Sequence, residues 1–271
     1  MTEQEASQRP AFTRLVLALS PEGASDQSLE TAASLARHLG LEMLALCLED
    51  EQCYLAVSHG FTAEIVFGES APRPVDAAQL EADFRRLAAR MERRLAALAE
   101  RMGLTTAIER RRGRAESALR SSLRAGDIMV RFQPPTMLGR TPPVPSGEGA
   151  GAELAVPAEV SAREGVIAVI GDGAALTPAR QIAAATGAGV EAWGEQERTV
   201  SEGPISDVSH DLRALDDPAS AQRVFRDRVM LLLVGADAPR NERLSALIQR
   251  ALSHRTPVLS VALHAPQPAS P

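Results

Sequence analysis

Short, wholly apolar runs alternate with longer amphipathic segments along most of this chain, and this alternation limits the folds open to it. The run at residues 15–19, LVLAL, is apolar at every position, which is typical of a strand buried on both faces. A longer segment at 76–102 carries apolar residues at helical spacing, starts with the capping pair Asp76 and Gln79, and ends before Gly103. Strands that alternate with helices form a parallel sheet with helices on its faces, so we predict an α/β protein.

The alternation occurs twice, in two halves of the chain. In the first half we predict strands at residues 15–19, 42–48, 105–109 and 128–132, helices at 26–38, 76–102 and 115–123, and a loop at 50–75. In the second half we predict strands at residues 166–170, 190–193, 205–208, 230–234 and 258–262, with helices opened by Thr177, Asp217 and Asn241. Few residues separate the strands at 190–193 and 205–208, too few for a long crossover helix. The second half therefore resembles a truncated copy of the first.

A stretch rich in proline and glycine separates the two halves. Residues 133–151 contain five prolines and a run of small residues. Such a sequence forms neither a helix nor an interior strand, because proline lacks the backbone donor. We therefore predict a first domain at residues 11–132, a linker at 133–163 and a second domain at 164–264.

The composition excludes several classes of function. All 29 basic residues are arginine, which excludes phosphate-binding loops of the G-x-x-x-x-G-K-[ST] type and Schiff-base lysines. A net charge of -6 and an aromatic content of 3% argue against nucleic-acid binding, which needs positive charge or stacking surfaces. No apolar run approaches the roughly 18 residues of a spanning helix, so we predict no membrane insertion. The polar first residues do not resemble a secretory signal, so we predict a cytoplasmic protein.

The residue types that can catalyse reactions or hold metals are scattered along the sequence. The five histidines lie far apart, so we predict no metal site. Cys47 falls within a predicted strand and Cys53 within the loop at 50–75, and we expect both thiols to be reduced. Cys53 and His59 share that loop, but nothing in the sequence fixes their geometry, and no G-x-S-x-G elbow occurs. We therefore predict no catalytic residues and a protein that is not an enzyme.

Several short motifs are similar to those of one known family. The segments LVLALSPEGAS at 15–25, DIMV at 127–130, VIAVIGDGA at 166–174 and RTPVLSVA at 255–262 resemble the universal stress protein family. The resemblance covers most of residues 13–132 and 164–263. It implies two tandem universal-stress-protein-like domains of the Rossmann-like, HUP type, each with a parallel sheet, the second one truncated.

The resemblance also implies a nucleotide site in a degraded form. Family members that bind ATP carry an Asp after the first strand and a loop G-x2-G-x9-G-[ST] after the fourth, whose backbone amides bind phosphate. In the second half, Asp172 and Gly173 match the strand-end pair, and Gly235 matches the first glycine of the loop. The second glycine is missing, and the first half has neither the Asp nor the loop. We therefore predict no cofactor, with ATP or AMP at Asp172, Gly173 and Gly235 as the alternative.

A second candidate for anion binding is an arginine-rich turn. Four arginines flank Gly113 at the end of a predicted strand, and parallel sheets bind ligands at that edge. Arg112, Gly113 and Arg114 are the candidate residues for a phosphate or carboxylate site, because guanidinium groups bind such anions as a fork. The other interpretation is a solvated turn whose arginines pair with Glu109 and Glu116. The sequence leaves both interpretations open.

Together these patterns predict a non-catalytic regulatory or scaffold module of the universal-stress-protein type, without standard ATP binding. The alternative is a stress sensor that binds ATP or AMP, and a third hypothesis is an enzyme with a site between the two halves. We expect a protein partner or self-association, because the family's closing strands often pair across subunits, or within one chain in tandem members. The strand at 258–262, which begins at Val258, would then form an intrachain pseudo-dimer or a homodimer, although the first half shows no equivalent strand.

Overall fold

The described part of the chain alternates strands and helices from one end to the other. A computed structural model describes residues 12–19, 24–59, 63–64, 71, 73–124, 126–132, 151–160, 165–171, 173–194, 208–235, 238 and 241–261. The first half contains β1 (Arg14–Leu19), α1 (Asp26–Leu39), β2 (Glu42–Asp50), α2 (Glu51–Ser58), β3 (Ala63–Glu64), β4 (Arg73–Pro74), α3 (Ala77–Met102), β5 (Thr106–Gly113), α4 (Ala115–Ser122), β6 (Asp127–Phe132) and β7 (Ala152–Val156). The second half contains β8 (Val166–Ile170), α5 (Gly173–Thr186), β9 (Gly189–Gly194), β10 (Val208–Asp211), a 3-10 helix (Leu212–Leu215), α6 (Pro218–Asp227), β11 (Val229–Val234), α7 (Glu242–Ser253) and β12 (Val258–Val261). The helices within these ranges are too short or too polar to cross a bilayer.

Among the described residues, ten strands form one sheet in the order β10-β9-β8-β11-β12-β7-β6-β1-β2-β5. Each half orders its sheet strands third, second, first, fourth, fifth, and all pairs within a half are parallel. The halves meet at their fifth strands, β7 and β12, which pair antiparallel. The predicted α/β class with a mostly parallel, Rossmann-like sheet is confirmed. The strands of the two halves run in opposite directions. The carboxyl ends of the strands of one half therefore lie on the same side of the sheet as the amino ends of the strands of the other half.

Strand β7 corrects the predicted extent of the linker. Residues 152–156 fall within the linker predicted at 133–163, yet they form an interior strand between β6 and β12. All five residues are buried. The sequence pattern misses this strand because Glu153 interrupts the apolar run and a glycine-rich stretch precedes it. The first half therefore has a fifth strand, and residues 133–150 and 161–164 lie outside the described ranges.

Strand β12 has a neighbour on each side within the chain. Leu259 pairs with Leu233 of β11 in parallel and with Leu154 of β7 in antiparallel. Both edges of β12 are therefore occupied, and a homodimer through this strand would have to displace β7. Ala262, the last residue of the predicted strand, lies outside the described residues.

One face of the sheet carries an apolar core that both halves share. Helices α1, α3 and α5 contribute to this core, and a single cluster of buried side chains joins Leu15 in the first half to Leu233 in the second through Leu154 and Leu259. The opposite face has two separate clusters, one that includes Phe225 and the apolar side of α7 and a small one beside α4. Backbone pairing and a common core thus join the two halves.

The start of helix α5 differs from its prediction. The N-cap predicted for α3 is present, because the N–H of Gln79 donates to Oδ1 of Asp76 at 2.6 Å. Helix α5 begins at Gly173 rather than at Thr177, so that predicted start is wrong. Gly171 has a φ of 114°, a conformation that glycine adopts at little cost, and it turns the chain directly from β8 into the helix. Pro178 consequently lies inside α5.

Candidate functional site

The carboxyl ends of β8 and β11 meet where the strand order of the second half reverses. In open parallel sheets this switch point is the usual place for a ligand. Gly173 is the first residue of α5 and Gly235 is the first residue after β11, so both lie at this crevice. Asp172 lies outside the described residues. Two of the three residues predicted for a nucleotide site are thus placed at one edge of the sheet.

The backbone amide of Gly235 is already bonded within the sheet. Its N–H donates to the carbonyl oxygen of Ile170 at 2.8 Å, and the residue is buried. A phosphate cradle needs several free N–H groups aimed at one anion. Gly235 therefore does not supply such a donor, and the loop residues 236–237 and 239–240 lie outside the described ranges.

A cluster of two buried side chains, Trp193 and Glu191, with the more exposed His210 and Arg228 was not predicted from the sequence. Trp193 of β9 stacks on His210 of β10, with ring centroids 4.5 Å apart. Glu191 is 4% exposed, binds the guanidinium of Arg228, and lies 3.4 Å from Nε2 of His210. Within the described part of the chain, His210 hydrogen-bonds no hydroxyl or thiol, and the indole N–H of Trp193 has no partner. The cluster thus contains one ion pair, between Glu191 and Arg228, beside a stacked pair of rings. In the sequence, only the acidic residue within the apolar pattern of β9 indicates it.

The arginine-rich turn lies at the end of β5, an edge strand of the sheet. Arg111 pairs with Glu109 of the same strand at 2.9 Å, as the solvated-turn interpretation predicts. Arg110 pairs with Glu49 of the neighbouring β2 at 2.5 Å. The side chain of Glu116 lies outside the described residues. Because charged side chains on an edge strand oppose pairing with other chains, these two arginines have a structural role.

The other residues of the turn differ in their surroundings. The Arg112 guanidinium lies over the ring of Tyr54, 3.6 Å from its centroid, which is a cation–π contact. Burial, together with a hydrogen bond to Glu49 at 3.1 Å, raises the pKa of the Tyr54 hydroxyl. Tyr54 lies on α2, a helix within the residues predicted as a loop. Gly113 ends β5, and Arg114 is the exposed N-cap residue of α4. Arg112 is thus held by an aromatic ring, whereas Arg114 faces solvent.

The crevice and the arginine turn do not share a site. Five strands separate β11 from β5 in the sheet. The strands of the two halves also run in opposite directions, so the turn and the crevice lie at opposite ends of the strands.

The remaining reactive side chains do not cluster. Cys53 is exposed on α2 and His59 caps the same helix, six positions later or about 240° around its axis. Cys47 is buried in β2, and burial raises the pKa of its thiol. Among the described residues, no three His, Cys, Asp or Glu side chains are grouped so as to hold a metal ion.

A cleft of about 580 Å³ lies on the shared face, between α1 and α5, where the two halves meet. We call it the seam cleft. Its first wall consists of α1 side chains, namely Gln27, Glu30, Thr31, Ser34, Leu35 and His38. Mostly apolar residues of β7, α5 and β11, with Val160 and Pro257, complete the lining. The sequence pattern does not indicate this cleft, because its two walls are far apart in the chain.

Comparison with known proteins places the chain in no family. No family model matches the sequence, and no curated protein is significantly similar to it. Among solved structures, the cytoplasmic domain of a prokaryotic cation chloride cotransporter is similar over 93% of this chain and 95% of its own, with 9% sequence identity and a TM-score of 0.40. A similarity this weak supports no argument about fold or function. The resemblance to universal stress proteins remains a prediction from the sequence motifs.

Proposed function

We propose that this protein is a non-catalytic regulatory or scaffold module made of two universal-stress-protein-like units, without standard ATP binding. The observation that carries the proposal is the structural repeat. Each half orders its strands third, second, first, fourth, fifth, and the two fifth strands pair antiparallel. The motif resemblance implies such a pairing of closing strands within one chain for tandem members of the family.

The described groups at the two carboxyl edges support a role other than catalysis. At the crevice, the amide of Gly235 is hydrogen-bonded to the carbonyl oxygen of Ile170. At the carboxyl ends of the first half's strands, the guanidinium of Arg112 lies over the ring of Tyr54. Both groups contribute to the fold, which supports a structural rather than a ligand-binding role for them.

Adenine-nucleotide sensing is the second candidate function, and one observation favours it. Gly173 places the N-terminus of α5 at the crevice, where the helix dipole favours an anion such as a phosphate. The third hypothesis, an enzyme site shared between the halves, has weaker support. The carboxyl ends of the two sets of strands lie at opposite edges, so they do not face a common site.

Protein purified without added ligand is expected to contain no stoichiometric adenine nucleotide after denaturation, when the supernatant is analysed by chromatography. Titration with ATP or AMP is expected to leave the fluorescence of Trp193 unchanged. Trp193 reports on the crevice because it pairs in register with Ile170, the last residue of β8.

Two outcomes would overturn the proposal. One is nucleotide at a near-equal molar ratio, and the other is a saturable change in Trp193 fluorescence. A change lost in Asp172→Ala and kept in Arg112→Ala would assign the nucleotide to the crevice. Nucleotide that co-purifies with Asp172→Ala but not with Arg112→Ala would assign it to the arginine-rich turn.

A further inference from the structure

We propose that the seam cleft binds an uncharged amphipathic small molecule, with its apolar body between α1 and α5 and a hydrogen-bonding group against α1. The site is distinct from the crevice at β8 and β11, and the inference does not depend on the proposed function.

The size and position of the seam cleft suit a small ligand. Its volume of about 580 Å³ lies within the roughly 300–1,000 Å³ that is usual for ligand pockets. Pockets of this kind often form where two structural units meet, and this one lies between the first helices of the two halves. The cleft is therefore large enough to hold a drug-sized molecule.

The base of the seam cleft is apolar. Leu154 of β7 and Ile182 of α5 are each 1% exposed, and Leu231 of β11 is 5% exposed. Val160 and Pro257 add further apolar surface to the lining. Because these base residues are already almost out of water, a ligand with an apolar body would gain about 25 cal/mol only for each Å² of apolar lining that is still exposed.

Two polar side chains on α1 are available to orient such a ligand. Ser34 and His38 are one helical turn apart on the same face, and both are partly buried. Neither side chain has a hydrogen-bond partner among the described residues. Partly buried polar groups without partners favour a ligand that supplies hydrogen bonds.

The other polar groups of the cleft are already engaged. The Gln27 amide donates to the carbonyl oxygen of Val160, and the hydroxyls of Thr31 and Thr186 donate to carbonyl oxygens of their own helices. Glu30 is paired with Arg101. Among the described residues that line the cleft, Ser34 and His38 are therefore the polar side chains that make no hydrogen bond or ion pair within the fold.

The charge of the lining favours an uncharged ligand. Burial, together with the neighbouring Arg37 cation, lowers the pKa of His38 below its ordinary value, which favours the neutral imidazole. The neutral ring offers one donor and one acceptor. No arginine is among the described residues that line the cleft, so a nucleotide or another polyanion has no counterion there.

The test uses N-phenyl-1-naphthylamine, an uncharged apolar probe with one N–H group whose fluorescence rises in apolar surroundings. The full-length protein is expected to bind it saturably, and excess ATP is expected not to displace it. Ser34→Phe fills the cleft from α1 and Thr186→Phe fills it from α5, so each is expected to weaken binding at least tenfold. Ser121→Phe makes the same change on an exposed face of α4 and is expected to leave binding unchanged.

Circular dichroism of each variant shows whether it is folded. The two filling variants act from opposite walls of the cleft, so if one of them unfolds, the other still tests the proposal. The absence of saturable binding by the wild-type protein would overturn the proposal. Unchanged binding in a folded Ser34→Phe or Thr186→Phe variant would also overturn it, as would displacement by ATP.

Discussion

Leu259→Ala is expected to lower the free energy of unfolding by about 3 kcal/mol, within the range of roughly 2–5 kcal/mol for buried leucines. Leu259 is fully buried in β12, and it faces Leu154 of β7 across the junction of the two halves. Removing its side chain leaves a cavity in the core that both halves share. Urea denaturation followed by Trp193 fluorescence measures the loss.

Leu55→Ala is the matched control for this prediction. Leu55 lies on α2 and is 56% exposed, so the same substitution there is expected to change stability by less than about 0.5 kcal/mol. Equal effects of the two substitutions would mean that β12 does not lie in the interior of the sheet.

The two halves are also expected to unfold together. The chain contains one Trp and one Tyr, and these report on different halves: Trp193 lies in β9 and Tyr54 in α2. Because a single core spans both halves on one face, the transitions seen by Trp193 fluorescence and by tyrosine absorbance are expected to coincide. Two separate transitions would contradict a shared core.

Glu153→Gln is expected to stabilise the protein at pH 8 and to flatten the dependence of its stability on pH. Glu153 lies within β7, is 4% exposed, and has Arg131 at 2.9 Å. Burial raises the pKa of its carboxyl from 4.5 to about 7, and Arg131 offsets this only in part. The native fold therefore favours the protonated carboxyl.

The direction of the pH effect follows from this raised pKa. The stability that the protonated Glu153 contributes is complete below about pH 4.5 and is lost as the pH rises through about 7. The loss amounts to about 3 kcal/mol at pH 8, since each pKa unit corresponds to about 1.4 kcal/mol. Glutamine has the same shape but does not ionise, and Arg131, 39% exposed, can be solvated without its partner.

Urea denaturation of both proteins between pH 5 and pH 8 tests this prediction. Glu159→Gln is the control, because Glu159 is 63% exposed and pairs with Arg255 at the surface. It is expected to leave the pH profile unchanged. Parallel profiles for the wild-type protein and Glu153→Gln would show that Glu153 is not protonated in the native state.

The sequence predicts most strands of this fold because their burial pattern is simple. The runs at 15–19 and 42–48 are apolar at nearly every position, and both lie within strands of the structure. Strand β7 escapes prediction because Glu153 is a charged residue inside a buried strand. Strand β5 extends beyond its predicted end because an edge strand tolerates the arginines that a buried strand would exclude.

The candidate sites depend more on tertiary packing than the strands do. The family resemblance implies one nucleotide site that includes Gly173 and Gly235, and the structure places both at the carboxyl ends of β8 and β11. Two other features cannot be predicted from any local pattern, because they depend on tertiary hydrogen bonding and packing. These are the bond from the Gly235 amide to Ile170 and the contact between Arg112 and Tyr54. The seam cleft likewise depends on how α1 packs against α5, which lies more than a hundred residues later.

A disulfide across β7 and β12 tests whether the two halves form one sheet within the same chain. Glu153 and Ser260 are paired in register, and directly opposed Cβ atoms of antiparallel strands are about 4.5–5.5 Å apart, close to disulfide range. The variant Glu153→Cys/Ser260→Cys is made with Cys53→Ser, which removes the exposed native thiol. After mild oxidation, peptide mapping is expected to find a cross-link between these two positions in a protein that migrates as a single chain. A disulfide that joins two chains, or no cross-link in a folded protein, would show that β7 and β12 of one chain are not paired.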